Sequence, residues 1–112
     1  MKFLLSLLSS FILTFLIGLQ LVSGLESQLE AGEQVFSGNC AGCHANGNNV
    51  VVPEKNLKMG ALEFNGKDSV SAIITQVTMG NGGMPAFDGR LSSDEIENVA
   101  NYVFNQATNN SW

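Results

Sequence analysis

Cys40-Ala41-Gly42-Cys43-His44 holds both cysteines and the only histidine of this 112-residue chain. The spacing is the attachment signature of a c-type haem. Two thiols three residues apart lie near one face of a helical turn, where they can add to the two vinyl groups of a porphyrin. The next residue then projects its imidazole beneath the iron, and the small Gly42 lets the turn pass close to the ring edge. A single motif of this kind implies one covalently bound haem c. Three other chemistries use parts of the pattern. A thioredoxin-like dithiol needs an α/β sheet context and leaves His44 without a duty. A structural zinc site wants four ligands where two Cys and one His supply three. A local disulfide is the plainest alternative in an exported chain.

The second axial position decides what such an iron does, since an open iron binds or activates small molecules and a closed one passes electrons. There is no second histidine, so the candidates are Met59, Met79 and Met84. Met79 ends an apolar stripe, where packing or capping is its expected role. Met59 falls in a weakly signalled helix and is expected at the surface or in packing. Met84 sits in Gly80-Asn81-Gly82-Gly83-Met84-Pro85, whose glycines free the backbone for close approach and whose proline excludes helix. His44 and Met84 are therefore the expected iron ligands. A thioether prefers Fe(II), so this pair raises the reduction potential relative to two imidazoles. A closed iron needs no catalytic residue, and the expectation is a one-electron carrier rather than an enzyme.

The elements that must position these residues begin after an address label. Lys2 and the terminal amine precede an apolar stretch, Phe3 to Leu21, and Val22-Ser23-Gly24 offers small residues to a signal peptidase. Cleavage is expected after Gly24, leaving a single domain over residues 25–112. An uncleaved membrane anchor is the alternative, since the stretch is about long enough to span a bilayer. Ten Asp plus Glu against five Lys plus Arg give a net charge of −5. That balance repels phosphate and excludes a nucleic-acid binder.

Within the domain, Ser27 and Glu30 can form a capping box, with Leu29, Val35 and Phe36 at helical spacing behind it. That helix is expected to end near Cys40–His44. Gly47 to Pro53 reads as loop, with Val50-Val51-Val52 the only strand-like run. Leu57 to Phe64 is expected to form one short helix. Val70, Ile73, Ile74 and Val77 predict another, capped by Asp68 and stopped at Gly80. Ser92 and Glu95 make a second capping box ahead of Ile96, Val99, Ala100, Val103 and Ala107, the longest apolar stripe of the domain. The class is all-α with large loops. Such short helices are unstable alone, and their scarce core suggests a bulky apolar cofactor between them.

Five stretches carry a family resemblance: Gly32-Glu33-Gln34-Val35-Phe36, Gly38 to His44, Val52-Pro53-Glu54-Lys55-Asn56-Leu57, Gly82-Gly83-Met84-Pro85-Ala86-Phe87 and Arg90-Leu91-Ser92. With the tail Val99 to Ala107, they make residues 25–112 resemble the cytochrome c6 family, soluble carriers of the photosynthetic lumen in cyanobacteria and algae. The resemblance implies the class I cytochrome c fold, with the first and last helices crossing at Gly32 and Phe36 against Val99 and Tyr102. A missing side chain at Gly32 would let two helix backbones approach. It further implies that Gln76 lies near the haem, Lys55 near a propionate and Arg90 in a docking surface at the haem edge. Read from sequence alone, Gln76 is equally a polar residue on the outer side of its stripe, and Lys55 and Arg90 are ordinary solvated charges. The segment Phe64-Asn65-Gly66-Lys67 is shorter than the family's usual one, a departure that leaves the haem ligands untouched. The implied partners are cytochrome f of the cytochrome bf complex as donor and photosystem I as acceptor, in the thylakoid lumen of a plastid or cyanobacterium. A bacterial carrier serving a terminal oxidase is the nearest competitor. A haem sensor or peroxidase whose Met84 leaves the iron is a remoter one. The sequon Asn109-Asn110-Ser111 is incidental at the chain end.

Overall fold

Residues 2–39 form one uninterrupted helix, α1 (Lys2–Asn39), in the computed structural model of the chain, which describes all 112 residues. Its 38 residues extend about 57 Å at the helical rise, and they account for the elongated 68 × 30 × 20 Å envelope. The expected helix start at Ser27 does not appear: the N-cap is Met1 and Ser27 lies inside the helix. The reason is that nothing between the two segments breaks a helix. Gly24 alone costs about 1 kcal/mol relative to Ala, and no proline intervenes. The apolar part has a mean hydropathy of 2.1 over its best window and none of that window is buried. It is long and apolar enough to cross a membrane.

Beyond α1 come α2 (Ala41–His44), a 3-10 turn (Ala45–Gly47), α3 (Met59–Phe64), α4 (Val70–Met79) and α5 (Ser93–Thr108). There are no strands, only two isolated bridges, Asn81 with Met84 and Asp88 with Leu91. Val50–Val52 is not extended. Asn49 Oδ1 accepts from the Val51 and Val52 amides at 3.0 and 2.9 Å, and this local capture bends the run before any partner strand could pair with it. The cap of α4 is Ser69 rather than Asp68: its hydroxyl accepts from Ala72 N at 3.1 Å. Ser and Asp are equivalent caps, and the structure uses the one directly adjoining the apolar stripe. Gly80 ends α4 with φ 66°, as expected. Both halves of the Ser92–Glu95 capping box form at 3.0 and 3.1 Å.

The core is the contact of α1, α4 and α5. Phe36 from α1, Ile73 and Val77 from α4, and Ile96, Val99, Ala100 and Val103 from α5 form one buried cluster with Phe87. Val99 and Ala100 are the most enclosed, at 1% and 0% exposure. The crossing of α1 and α5 is set by Gly32. A Cβ there would strike the Asn98 carbonyl and come within 2.7 Å of Tyr102 Cβ. Phe36 then packs against Tyr102 with ring centroids 5.4 Å apart. Both implied contact points on α1 and their α5 partners are therefore found together.

Candidate haem-binding site

The motif turn starts where α1 stops. Cys40 donates its amide to Phe36 O at 2.8 Å and its carbonyl accepts from Cys43 N at 3.2 Å and His44 N at 2.9 Å, which winds α2 directly onto α1. Both thiols are free. They differ in setting. Cys40 packs against the core cluster, and burial pushes its thiol up to about 11, because a thiolate there would lose its hydration. Cys43 is exposed.

His44 Nδ1 lies 2.9 Å from the backbone oxygen of Asn48. A carbonyl only accepts, so Nδ1 carries a proton and donates, and in the neutral imidazole this leaves Nε2 with its lone pair. An outer hydrogen bond of this kind fixes the tautomer and orientation of a metal-binding imidazole. The loop behind it is held at several points. Val50 N donates to Cys43 O at 3.1 Å, Leu57 N to Gly47 O at 2.8 Å, and Asn49 Nδ2 to Lys55 O at 2.8 Å. Trp112 closes it: the indole N–H donates to Leu57 O at 3.0 Å, and the ring lies over Gly47, where a Cβ would strike it. The same indole sits 5.3 Å from the Phe36 ring. The last residue of the chain thus ties the loop under His44 to the α1–α5 crossing. Sequence reading missed this clamp; a lone terminal Trp was its only signal.

Met84 approaches the core from the other loop. It is half-buried against the same cluster that Cys40 touches. Its amide and carbonyl each bond Asn81 at 3.0 Å, closing a two-residue turn with Gly82, at φ 57°, in the first central position. Phe87 N and Asp88 N donate to Val77 O and Thr78 O at 3.0 and 3.2 Å, which fastens the loop to the end of α4. Gly80 has a role other than approach to a ring. A Cβ there would meet Met84 O and Ala86 N at 2.6 Å, so it is the loop's own backbone that needs the space. The Met84 thioether accepts from Gln76 Nε2 at 3.6 Å. Gln76 is thereby on the inner side of α4, facing the methionine, not a solvated residue of the outer face.

The other methionines separate from the site. Met79 is 71% exposed, so the expected packing role is overturned: α4 ends there, and its last residue projects past the core. Met59 is half-buried at the start of α3. Lys55 is exposed, and Arg90 stands with its guanidinium carbon 5.0 Å from the Phe87 ring centroid.

Residues 27–103 match the family model described as cytochrome c oxidase, cbb3-type, subunit III, a cytochrome c domain. The curated relatives narrow this. Cytochrome c6 of Bumilleriopsis filiformis is 59% identical over 81 residues, 72% of this chain and 94% of that protein. The chain belongs to the cytochrome c6 family. Cytochrome c6 of Pyropia yezoensis is 46% identical over 107 residues, 96% of each chain. The crystal structure of cytochrome c6 from the diatom Phaeodactylum tricornutum superposes with a TM-score of 0.70 at 52% identity, covering 72% of this chain and 95% of that one. The all-α class I cytochrome c fold is thus the fold of this chain. Like its family, it carries one covalently attached c-type haem and is a c-type cytochrome electron carrier of photosynthetic organisms. The donor set suits that group: two thiols in one turn, an imidazole with a free Nε2, and a thioether held on the same core.

Proposed function

We propose that Cys40 and Cys43 hold the haem as thioethers, that His44 and Met84 are its two axial ligands, and that the protein is a diffusible one-electron carrier and not an enzyme. It takes electrons from cytochrome f of the cytochrome bf complex and delivers them to photosystem I. One observation carries this reading: each candidate ligand is pinned from behind, His44 by Asn48 O and Met84 by Gln76 Nε2. When bound, the haem supplies a ferric/ferrous couple. The protein's contribution is to keep both ligands in place through the change of charge, so that little has to reorganise. His44 is oriented by its Nδ1 bond and Met84 by the closed Asn81–Met84 turn. The soft sulfur and the apolar cluster behind it favour the reduced state.

Two lengths of relative support cleavage after Gly24. Residues matching only 72% of this chain make up 94% of one relative, while another is matched over 96% of both chains and so has a counterpart of the N-terminal segment. On this reading the apolar half of α1 serves export and the domain works in the thylakoid lumen, of a plastid or a cyanobacterium. N-terminal sequencing of the mature protein should begin at Leu25.

Flash-induced oxidation by photosystem I and reduction by cytochrome f test the partner assignment. With Lys2 removed, ten carboxylates face four basic side chains, so both rates should depend on ionic strength. Failure of photosystem I to oxidise the protein would overturn it. A second reading, donation to a terminal oxidase, is favoured by the description of the matching family model. Rapid oxidation in the dark by membranes containing a cbb3-type oxidase would support it.

A further inference from the structure

The sequence holds three Asn-Gly pairs, Asn46-Gly47, Asn65-Gly66 and Asn81-Gly82. Asn-Gly is the pair most open to intramolecular attack by the following amide nitrogen on the side-chain carbonyl, because glycine puts no side chain in the way and asparagine is a thermolabile residue. The fold protects two of them. Gly47 is buried beneath the Trp112 indole, which shields its amide from the base that must remove its proton. Asn65 is half-buried and its side-chain amide donates to Ala61 O at 2.8 Å, holding it back along α3, while Gly66 N donates to Glu63 O at 3.2 Å. The third pair has neither protection. Asn81 and Gly82 are both exposed, no backbone bond engages the Gly82 amide, and Gly82 already sits at φ 57° in a tight turn.

We infer that Asn81-Gly82 is a spontaneous modification site at which deamidation loosens the loop that presents Met84. The Gly82 nitrogen bonds to Asn81 Cγ and ammonia leaves, giving a cyclic imide. Water then opens the ring at either carbonyl to leave aspartate or isoaspartate. The net change is amide plus water to carboxylic acid plus ammonia, with no redox step. The consequence follows from the turn. Asn81 bonds Met84 through both its N–H and its carbonyl, and isoaspartate reroutes the main chain through the former side chain. This adds a methylene between those two groups and a negative charge beside them. The register of the pair is lost, and with it the restraint on the Met84 backbone. This consequence rests on Met84 being the sulfur ligand; the chemistry at Asn81 does not.

The experiment is incubation of the haem-loaded protein at mildly alkaline pH, followed by peptide mapping for the one-dalton gain and for isoaspartate. The visible spectrum of the same samples is recorded in parallel. Loss of amide at Asn81 should outrun that at both Asn46 and Asn65, and Asn81→Gln should abolish it. The charge-transfer band of the iron–sulfur bond should fall in step with isoaspartate. Equal rates at the three pairs, or a faster reaction at Asn46 or Asn65, would overturn the site. Modified protein that keeps the full band would overturn the loosening. Fresh protein that never shows the band would refute the ligand assignment instead, and the mass map would still decide the site.

Discussion

The amide of Gln76 donates to the sulfur of Met84 across 3.6 Å, from one turn before the end of α4 to the loop that follows it. With Met84 as the proposed sulfur ligand, a donor dipole aimed at its sulfur would turn its positive end toward the iron. It would oppose the extra positive charge of the ferric state and so raise the potential. Gln76→Val removes the donor at similar bulk and should lower the midpoint. If the bond differs by about 1.4 kcal/mol between oxidation states, the shift is about 59 mV for one electron. An unchanged potential would place the Gln76 amide outside the iron's electrostatics, and a higher one would contradict the sign of its effect.

Gly80 and Gly82 both have positive φ, 66° and 57°, but only Gly80 lies against its own loop. Gly82→Ala meets nothing within 4 Å and should cost about 1 kcal/mol for its backbone conformation. Gly80→Ala adds a collision with Met84 O and Ala86 N and should cost roughly 2–3 kcal/mol while disturbing the Met84 backbone. Denaturant unfolding of the two variants checks the order. Equal losses would contradict the close approach at Gly80.

Trp112 makes two separable contributions. Trp112→Phe keeps a ring over Gly47 and loses the bond to Leu57 O, at a cost of about 1 kcal/mol. Trp112→Ala loses the packing as well. It should cost roughly 2–4 kcal/mol, toward or below the low end for core aromatics because the ring is only half-buried. The test is again unfolding by denaturant, and a neutral Trp112→Ala would mean that the loop under His44 needs no clamp.

Tyr102 titrates above its ordinary 10.0, pushed up first by burial and then by the nearby Glu33 carboxylate. The unfolded chain therefore releases this proton first as pH rises. Above about pH 10 the native state binds more protons than the unfolded one, and stability falls with further alkalinity. Tyrosinate absorbance of the native protein should rise at higher pH than that of the unfolded chain, and Glu33→Gln should shrink the difference without abolishing it. The raised Cys40 thiol makes the same kind of contribution only while it is a free thiol.

Much of this was legible in the residues because it was local. The Cys40–His44 turn, the Ser92–Glu95 box, the Gly80 stop and the apolar stripes of α4 and α5 each depend on contacts within about one to four turns of chain. Gly32 was legible through the family likeness. What escaped were pairings that no periodicity encodes. Trp112 and Leu57 are far apart in sequence, and Asn49 bends Val50–Val52 through a side-chain bond that overrides β-branched propensity. The Gln76–Met84 contact needs the loop to fold back over Gly80, and helical spacing alone leaves Gln76 ambiguous. The Ser27 box failed for the opposite reason: a valid local signal was absorbed by a longer helix that had no cause to stop.

A redox titration of the haem-loaded protein, with the full optical spectrum recorded at each potential, decides whether His44 and Met84 close the iron on both faces. A single one-electron transition between low-spin states is expected. The ferric form should show the long-wavelength iron–sulfur band, and that band should be absent from Met84→Ala. A high-spin ferric spectrum with an exchangeable water, or a band that survives Met84→Ala, would contradict that closure.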